Sequence, residues 1–260
     1  MRPPAIVGID CATVPERVGL ARAVPHGGGW RLIDAGVGSR ARPPETVVPA
    51  WLDEAPRTLL ALDAPLGWPV ALADALVGHR AGAPIRAAPN ALFRRSTDTA
   101  VHRRYGKLPL EVGADRIART ARAALGLLHA LAVRRGSAIP LAWVPAGWRD
   151  ADESAWPSAI EVYPAATVRA HGVAERGYGV PGSGARQRVA RHVRSLLDVA
   201  DGLDLETLAP DAFDAVLCVV AGVDALTGAA SSPDDDGVHG DHETLDRATI
   251  EGEGWIWVRR

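Results

Sequence analysis

Cysteine and long apolar runs are scarce in this sequence, and each scarcity excludes a class of protein. The two cysteines, Cys11 and Cys218, lie far apart in the chain. They form neither a disulfide framework nor a closely spaced zinc-binding pair, so we expect the reducing cytoplasm. No stretch approaches the roughly 20 apolar residues of a membrane span. The start of the chain lacks the apolar core of a signal peptide, so we expect no contact with a membrane.

Charge of one sign is not in excess either. The 260 residues carry a formal net charge of -2, with a pI near 6.4. Without a global basic field the chain has no general attraction for nucleic acid or anionic lipid, so any such binding must depend on a local patch. Hydrophobic residues make up 47% of the chain, which is enough for a sizeable core. We predict a single globular domain over residues 1–260.

Three apolar stretches end at an acid or contain one. Residues 5–9 lead into Asp10, residues 58–62 lead into Asp63, and Glu161 lies within residues 158–164. Each stretch has the length and composition of a buried strand. A carboxylate at the end of such a strand is costly unless a cation or several hydrogen bonds compensate it, so we predict catalytic roles for all three acids. Two alternatives stay open, in which Asp63 caps the turn that follows it and Glu161 pairs with an arginine.

Two further acids lie in a predicted late helix, Pro210 to Leu226. Proline suits the first turn of a helix, and acids there complement the helix dipole. For Asp211 a capping role and a metal-binding role are both open. Asp214 lies one turn from Asp211 and one turn from Cys218, on a part of the helix that is otherwise apolar and small. A carboxylate on the buried side of a helix requires a partner, so we predict that Asp214 is catalytic and binds metal.

The other elements follow from periodicity and from turn residues. Residues 17–24 and 30–37 are predicted strands, which a glycine-rich turn joins into a three-stranded meander with the first strand. Residues 70–157 are predicted to be a helical insertion. The predicted helices cover residues 47–54, 70–77, 114–135, 165–171 and 186–199, and a final strand is predicted over residues 254–259.

The strand acids and the helix acids are expected to meet. In an α/β sheet the carboxyl ends of neighbouring strands converge on one crevice. Clustered carboxylates cannot all stay ionised without cations, and oxygen ligands select Mg²⁺ or Mn²⁺ over zinc. Two such ions about 3.5–4 Å apart would bind the attacking water and the leaving oxygen of a phosphodiester. The predicted metal ligands are Asp10, Asp63, Asp211 and Asp214.

A basic segment bears on the substrate. Between Arg86 and Arg119 seven arginines and Lys107 stand against three acids. Such a segment could face a phosphate backbone, although a solvated surface is the alternative and few aromatic side chains are available there to stack on bases. Nucleic acid is therefore a partner that the sequence leaves open. The residues predicted to bind substrate are Arg95, Thr97, Asp98 and Arg103.

Five short motifs, in this order, resemble domain-of-unknown-function family 429. They are residues 7–10, 62–67, 94–98, 161–164 and 211–215. Members of that family are regarded as predicted nucleases, and the resemblance implies an α/β fold with a ribonuclease H-like mixed sheet, flanking helices and a helical insertion. Asp10 then resembles the first-strand metal ligand, Asp214 the late-helix acid, and Asp63 and Glu161 the strand acids. Cys11 departs from the glycine often found after the first acid.

Three functions compete at this point. The first is a divalent-metal-dependent nuclease or phosphodiesterase that uses the carboxylate cluster. The second is an ATP-binding phosphotransferase related to actin and the sugar kinases, but the glycine-rich phosphate turn of that class is missing after Asp10, as is a P-loop lysine motif. The third is a non-catalytic nucleic-acid-binding module of the same fold. His239 and His242, in an acidic stretch, are interpreted as solvated loop residues.

Overall fold

The computed structural model describes residues 2–113, 115–173, 176–235 and 246–260. His239 and His242 lie outside these residues.

A mixed sheet of six strands forms the centre of the described structure. The strands are β1 (Ala5–Asp10), β2 (Gly19–His26), β3 (Gly29–Val37), β4 (Thr58–Asp63), β5 (Ser158–Glu161) and β6 (Asp198–Val199). Their spatial order is β5-β4-β1-β2-β3-β6. Strand β2 runs antiparallel to both β1 and β3, whereas β4 lies parallel to β1 and β5, and β6 lies parallel to β3. The order brings the three acid-bearing strands, β1, β4 and β5, side by side.

Helices cover both faces of this sheet. They are α1 (Pro44–Glu54), α2 (Val70–Leu76), α3 (Pro89–Phe93), α4 (Ser96–Tyr105), α5 (Asp115–Arg135), α6 (Pro164–Ala170), α7 (Gly184–Leu196), α8 (Pro210–Leu226) and α9 (Arg247–Glu253). Alternate residues of β1 and β4 contribute to two separate cores. One core packs against α6, α7 and α8, and the other against α1 and α5. Among the described residues, every helix is too short or too polar to cross a bilayer.

The mixed α/β fold with flanking helices confirms the predicted fold class. Strands β1, β2 and β3 form the predicted antiparallel meander, and Gly27 and Gly28 adopt the positive φ angles that a two-residue hairpin turn requires. Two parallel strands then extend the sheet beyond β1. This combination of a meander and two parallel strands is the ribonuclease H-like arrangement that the family resemblance implied.

Helix α8 lies unusually close to the first two strands. A Cβ atom added at Gly8 would be 2.0 Å from the Ala215 carbonyl oxygen, and one added at Gly19 would be 1.8 Å from the Asp211 carbonyl oxygen. Glycine is therefore required at both positions, because any side chain would push the helix off the sheet. This close approach brings the first turns of α8, which carry the two predicted acids, over the carboxyl end of β1.

Two predicted elements were wrong in extent. The tail, Gly254 to Arg259, forms only isolated bridges, from Ile256 to Glu161 and from Arg259 to Ala230, so its alternating tryptophans do not mark a strand. The helix predicted over residues 186–199 begins earlier, where the Ser183 hydroxyl accepts a hydrogen bond from the Arg186 backbone N–H, and it ends at Leu196. Residues 198–199 belong instead to β6, which pairs with the outer edge of β3.

Residues 70–157 lie between β4 and β5 and carry α2, α3, α4 and α5. The sequence did not predict α3, α4 or α9. That the chain is one domain with residues 70–157 inserted into it stays a prediction.

Candidate functional site

The carboxyl ends of β1, β4 and β5 open into one cleft. Its volume is about 230 Å³. Asp10, Asp63 and Glu161 all line it, together with Ile117 and Thr120 from the first turns of α5. Asp10 and Asp63 are direct partners in the register of two parallel strands. The three strand acids predicted from the sequence are therefore brought together.

Asp10 and Asp63 lie in this cleft without a compensating partner. Among the described residues, neither carboxylate has a hydrogen bond or an ion pair. Burial, and then the negative charges of Asp63, Asp214 and Asp211, raise the pKa of Asp10 from its ordinary value near 3.8 to about 9, although Arg17 opposes the shift. Burial, followed by the charges of Asp214 and Glu161, also raises the pKa of Asp63 well above its ordinary value. Each acid thus makes ionisation of the others harder.

Asp214 faces the same group of acids from α8. Burial raises its pKa to about 6, while a hydrogen bond from the Tyr178 hydroxyl and the charge of Arg186 oppose the rise. Its Oδ1 atom is buried and has no hydrogen-bond partner in the described part of the chain. A buried carboxylate oxygen without a partner costs free energy, so Asp214 needs a further donor or a cation.

Asp211, the other predicted helix acid, has a partner already. Arg17 donates to it through Nε over 2.7 Å and through Nη2 over 3.2 Å. The guanidinium is well exposed, so this is a surface ion pair. Asp211 lies in the first turn of α8, where an acid complements the helix dipole. Its role as a metal ligand stays a prediction, which the pairing with Arg17 disfavours.

Glu161 lies in the cleft but is fully engaged by protein groups. Arg95 donates to both of its oxygens, over 2.7 Å and 2.6 Å, and the Leu66 backbone N–H donates over 3.0 Å. Burial still raises the pKa of Glu161, but the Arg95 charge and hydrogen bonds oppose the rise. The arginine-paired alternative for this acid describes its surroundings, and its catalytic role stays a prediction.

The predicted substrate-binding residues of α4 point inward, with one exception. Arg95 is 1% exposed and also donates to both oxygens of Asp98. The Thr97 hydroxyl accepts from the Ile256 backbone N–H over 2.8 Å. These three side chains are therefore occupied within the protein, and their part in substrate binding stays a prediction. Arg103 is exposed on the same helix.

Glu253 completes this buried network and was not foreseen from the sequence. Its two carboxylate oxygens accept from the backbone N–H groups of Val70 and Ser96, over 3.1 Å and 2.7 Å. Each N–H belongs to the start of a helix, where backbone donors lack partners within the helix. Glu253 thereby fastens α2 and α4 to the last helix. No local pattern could have shown this, since the partners are far apart in the sequence.

Both cysteines lie beside the acids as neutral thiols. Cys11 and Cys218 each donate to the Ile9 carbonyl oxygen, over 3.8 Å and 3.7 Å. Burial, reinforced by the charges of Asp10 and Asp63, raises the pKa of both thiols. Since the thiolate is the reactive form, neither is suited to be a nucleophile.

The carboxylates suit a hard divalent cation in their donor chemistry. Asp10 and Asp63 offer oxygens without partners, and Asp214 adds a buried orphaned oxygen. Within the described residues, however, no three His, Cys, Asp or Glu side chains are arranged to hold one ion between them. Mg²⁺ is usually bound through one or two carboxylates, the remaining ligands being waters and substrate phosphates. The residues present therefore fit an ion that shares its ligands with substrate.

Comparison with known proteins gives a family and one structural likeness. One solved structure resembles the chain, that of "T. thermophilus RuvC in complex with Holliday junction substrate". It is 14% identical to this chain in sequence, with a TM-score of 0.37, and the match covers 86% of this chain and 96% of that chain. No curated protein is similar to the chain in sequence. A family model described as "Protein of unknown function (DUF429)" matches residues 8–237. The chain therefore belongs to the DUF429 family.

Proposed function

We propose that the protein is a divalent-metal-dependent phosphodiesterase, and specifically a nuclease. The observation that carries this proposal is the pair formed by Asp10 and Asp63, two neighbouring carboxylates in one cleft without a compensating cation among the described residues. A fold does not retain such a pair cheaply, since each charge raises the cost of the other. Mg²⁺ or Mn²⁺ would remove that cost.

The proposed division of roles follows from the surroundings of each acid. Asp10 and Asp63 would hold the metal together with waters and substrate phosphates, and the metal when bound would supply a polarised phosphoryl oxygen and an activated water. Asp214, with its orphaned Oδ1, would add to the negative charge beside them. Glu161 forms the opposite wall of the cleft, where Arg95 fixes its position. Whether one ion or two act there is decided by the stoichiometry of metal binding.

Nucleic acid is the substrate that the mouth of the cleft supports best. Ile117 and Thr120 of α5 line the cleft, and the adjacent Arg116 and Arg119 are exposed. A backbone entering the cleft would pass these two guanidinium groups, which suit phosphate contacts. The two unpaired cysteines fit the reducing cytoplasm, where such substrates are available.

The decisive experiment is a cleavage assay on labelled RNA, DNA and RNA–DNA hybrid, with Mn²⁺, with Mg²⁺ and with EDTA. We expect metal-dependent cleavage by the wild type and a loss of at least 100-fold in the Asp10→Asn/Asp214→Asn double variant. Asp201→Asn, the same change at a fully exposed acid, is the matched control. Cleavage that persists in the double variant would assign the activity to a contaminant. No cleavage of these substrates or of bis-p-nitrophenyl phosphate would refute the proposal.

The ATP-binding alternative receives no support from the chain after β1. Residues 11–18, which lead from Asp10 to β2, contain no glycine, and a phosphate-binding turn of that class needs one. Tight binding of Mg-ATP in isothermal titration calorimetry would reverse this ranking.

A further inference from the structure

Four polar side chains form one hydrogen-bonded chain at the end of α8. The Asp224 carboxylate accepts from Arg259 Nη1 at its Oδ1 over 2.7 Å, and its Oδ2 lies 2.7 Å from His171 Nε2. The other ring nitrogen of His171, Nδ1, lies 2.9 Å from His192 Nε2. The side chains of His171 and Asp224 are each 4% exposed, whereas that of Arg259 is 40% exposed. The chain of contacts joins the end of α6, α7, α8 and the C-terminal tail.

The carboxylate determines where the protons of both imidazole rings lie. An ionised carboxylate only accepts hydrogen bonds, so His171 Nε2 carries a proton and donates it to Asp224. In a neutral ring His171 Nδ1 is then an acceptor, and His192 Nε2 donates to it. The pair of rings can hold one added proton with every contact intact. A second would place two N–H groups opposite each other over 2.9 Å, so the rings would separate.

Added protons also disturb the balance of charge around His192. Burial, followed by the charges of His171 and Arg259, lowers the pKa of His192 below its ordinary value near 6.5, while Asp224 opposes the shift. The folded chain therefore takes up this proton less readily than the unfolded chain. The stability that results is fully present above about pH 6.5 and is lost as the pH falls through the folded-state pKa.

The other titratable groups near this chain are Tyr105 and two arginines. Tyr105 of α4 lies close enough to Asp224 for that charge, after burial, to raise the pKa of its hydroxyl. Arg169 of α6 and Arg188 of α7, each within one turn of a histidine in sequence, are exposed, so solvent screens their charges. Asp224 and Arg259 thus contribute most to the charge that the two rings meet.

Arg259 connects these histidines to the wall of the cleft. Its carbonyl oxygen accepts from the Tyr105 hydroxyl. Two residues earlier, the Trp257 backbone N–H donates to the Glu161 carbonyl oxygen over 2.9 Å, and Ile256 lines the cleft. The guanidinium of Arg259 is partly hydrated already, so it is the cation that solvent can take over when protonated histidines compete for the carboxylate.

We infer that His171 and His192 form a pH-sensitive clasp for the C-terminal tail, closed while both rings are neutral and open when protons on both rings separate them and compete with Arg259 for Asp224. Histidine suits such a clasp because its charge ordinarily changes between pH 5 and 8. Opening would loosen residues 254–260, and with them Ile256 at the cleft. The inference is independent of the proposed metal site.

The test is hydrogen–deuterium exchange with mass spectrometry on the full chain at pH 7.5 and pH 5.0, corrected for the intrinsic exchange rate at each pH. Proton uptake can weaken a closed state by up to about 10-fold per pH unit and proton, so we expect the protection of residues 254–260 to fall by about 10-fold. Residues 5–10 of β1 should keep theirs. An equal loss in β1 would mean general acid unfolding and would overturn the inference, as would an unchanged tail.

Three variants locate the effect. His192→Gln can still donate to His171 but cannot titrate, so its tail should stay protected at pH 5.0. His129→Gln, the same change at an exposed histidine of α5, is the matched control and should behave as the wild type does. Arg259→Gln should show low protection of the tail at both pH values. A His192→Gln variant that loses protection at pH 5.0 as the wild type does would overturn the role of the histidines.

Discussion

Two groups of carboxylates lie at or beside the same cleft, and they differ in what neutralises them. Glu161 and Asp98 share the guanidinium of Arg95, with two contacts to each carboxylate. On the neighbouring strands, Asp10 and Asp63 have no partner among the described residues. All four are carboxylates, so the amino-acid type alone does not explain the difference. Glu161 and Asp98 are buried, whereas Asp10 and Asp63 are half-buried.

Glu161 and Asp98 have the surroundings of structural acids, whereas Asp10 and Asp63 have those of acids that bind a ligand. A buried carboxylate whose oxygens all accept hydrogen bonds is stable without any external group. One without partners is stable only when protonated or when a cation binds. The Arg95 group therefore maintains the cleft wall, and the Asp10 group is the place where an added cation would change the stability of the protein most.

The largest expected effect is the loss of Arg95. Arg95→Met leaves Glu161 and Asp98 buried without their cation, and we expect a loss of about 3–5 kcal/mol in the free energy of unfolding. Urea denaturation measures it. Arg103→Met, on the exposed side of the same helix, should change stability by less than about 0.5 kcal/mol. Equal effects of the two substitutions would contradict the claim that Arg95 stabilises the fold by neutralising Glu161 and Asp98.

Removal of Asp10 should have the opposite sign. Without divalent ions, the folded chain must keep Asp10 protonated at pH 8, where the unfolded chain leaves it ionised, and Asp10→Asn removes that cost. We therefore expect a gain on the order of 1–2 kcal/mol, after discounting for partial exposure. The variant should also lose the increase in melting temperature that Mn²⁺ gives the wild type. Differential scanning calorimetry with and without Mn²⁺ measures both effects. A destabilised variant in EDTA would show that Asp10 has a structural partner.

The pH dependence of stability should sharpen the contrast. The folded-state pKa of Asp10 is raised from near 3.8 to about 9, so the folded chain holds a proton that the unfolded chain releases. The contribution of Asp10 to the free energy of unfolding without metal is then fully present below about pH 4, and it is lost as the pH rises through about 9. Urea titrations in EDTA at pH 5, 7 and 9 should show this fall, with a smaller one in Asp10→Asn. A wild-type profile equal to that of the variant would contradict the raised pKa.

The smallest expected effect concerns Asp211. Its ion pair with Arg17 is exposed, and surface pairs contribute about 0–1 kcal/mol. We expect Asp211→Asn to change the unfolding free energy by that amount and to leave Mn²⁺ affinity within about twofold. A larger loss of affinity would establish Asp211, in the first turn of α8, as a metal ligand alongside Asp10 and Asp63.

The acids of the unpaired group could be predicted because each has a local signal. Asp10 and Asp63 follow apolar strand runs, and Asp214 interrupts an apolar helix face. The parallel pairing of β1 and β4 then brings two of them together without any specific contact. The meander was predictable in the same way, since its hairpin turn is coded by adjacent glycines.

The surroundings of these acids could not be predicted, because they depend on contacts between distant residues. Arginine is usually exposed, so the sequence gives no sign that Arg95 is buried against Glu161, which lies 66 positions later. Arg186 likewise lies over the ring of Phe213, on a helix that begins after residue 209. The tail from Gly254 to Arg259 has strand-like alternation, but only single bridges form there.

The carboxylate of Glu253 has a consequence for the order of assembly. It accepts from Val70 and from Ser96, which precede it by 183 and 157 positions. Contacts over such separations form late in folding, since the loop must close before they contribute. On a ribosome, β1 and β4 can pair long before residue 253 is made. Asp10 and Asp63 can therefore come together on a nascent chain before Glu253 fastens α2 and α4 to α9.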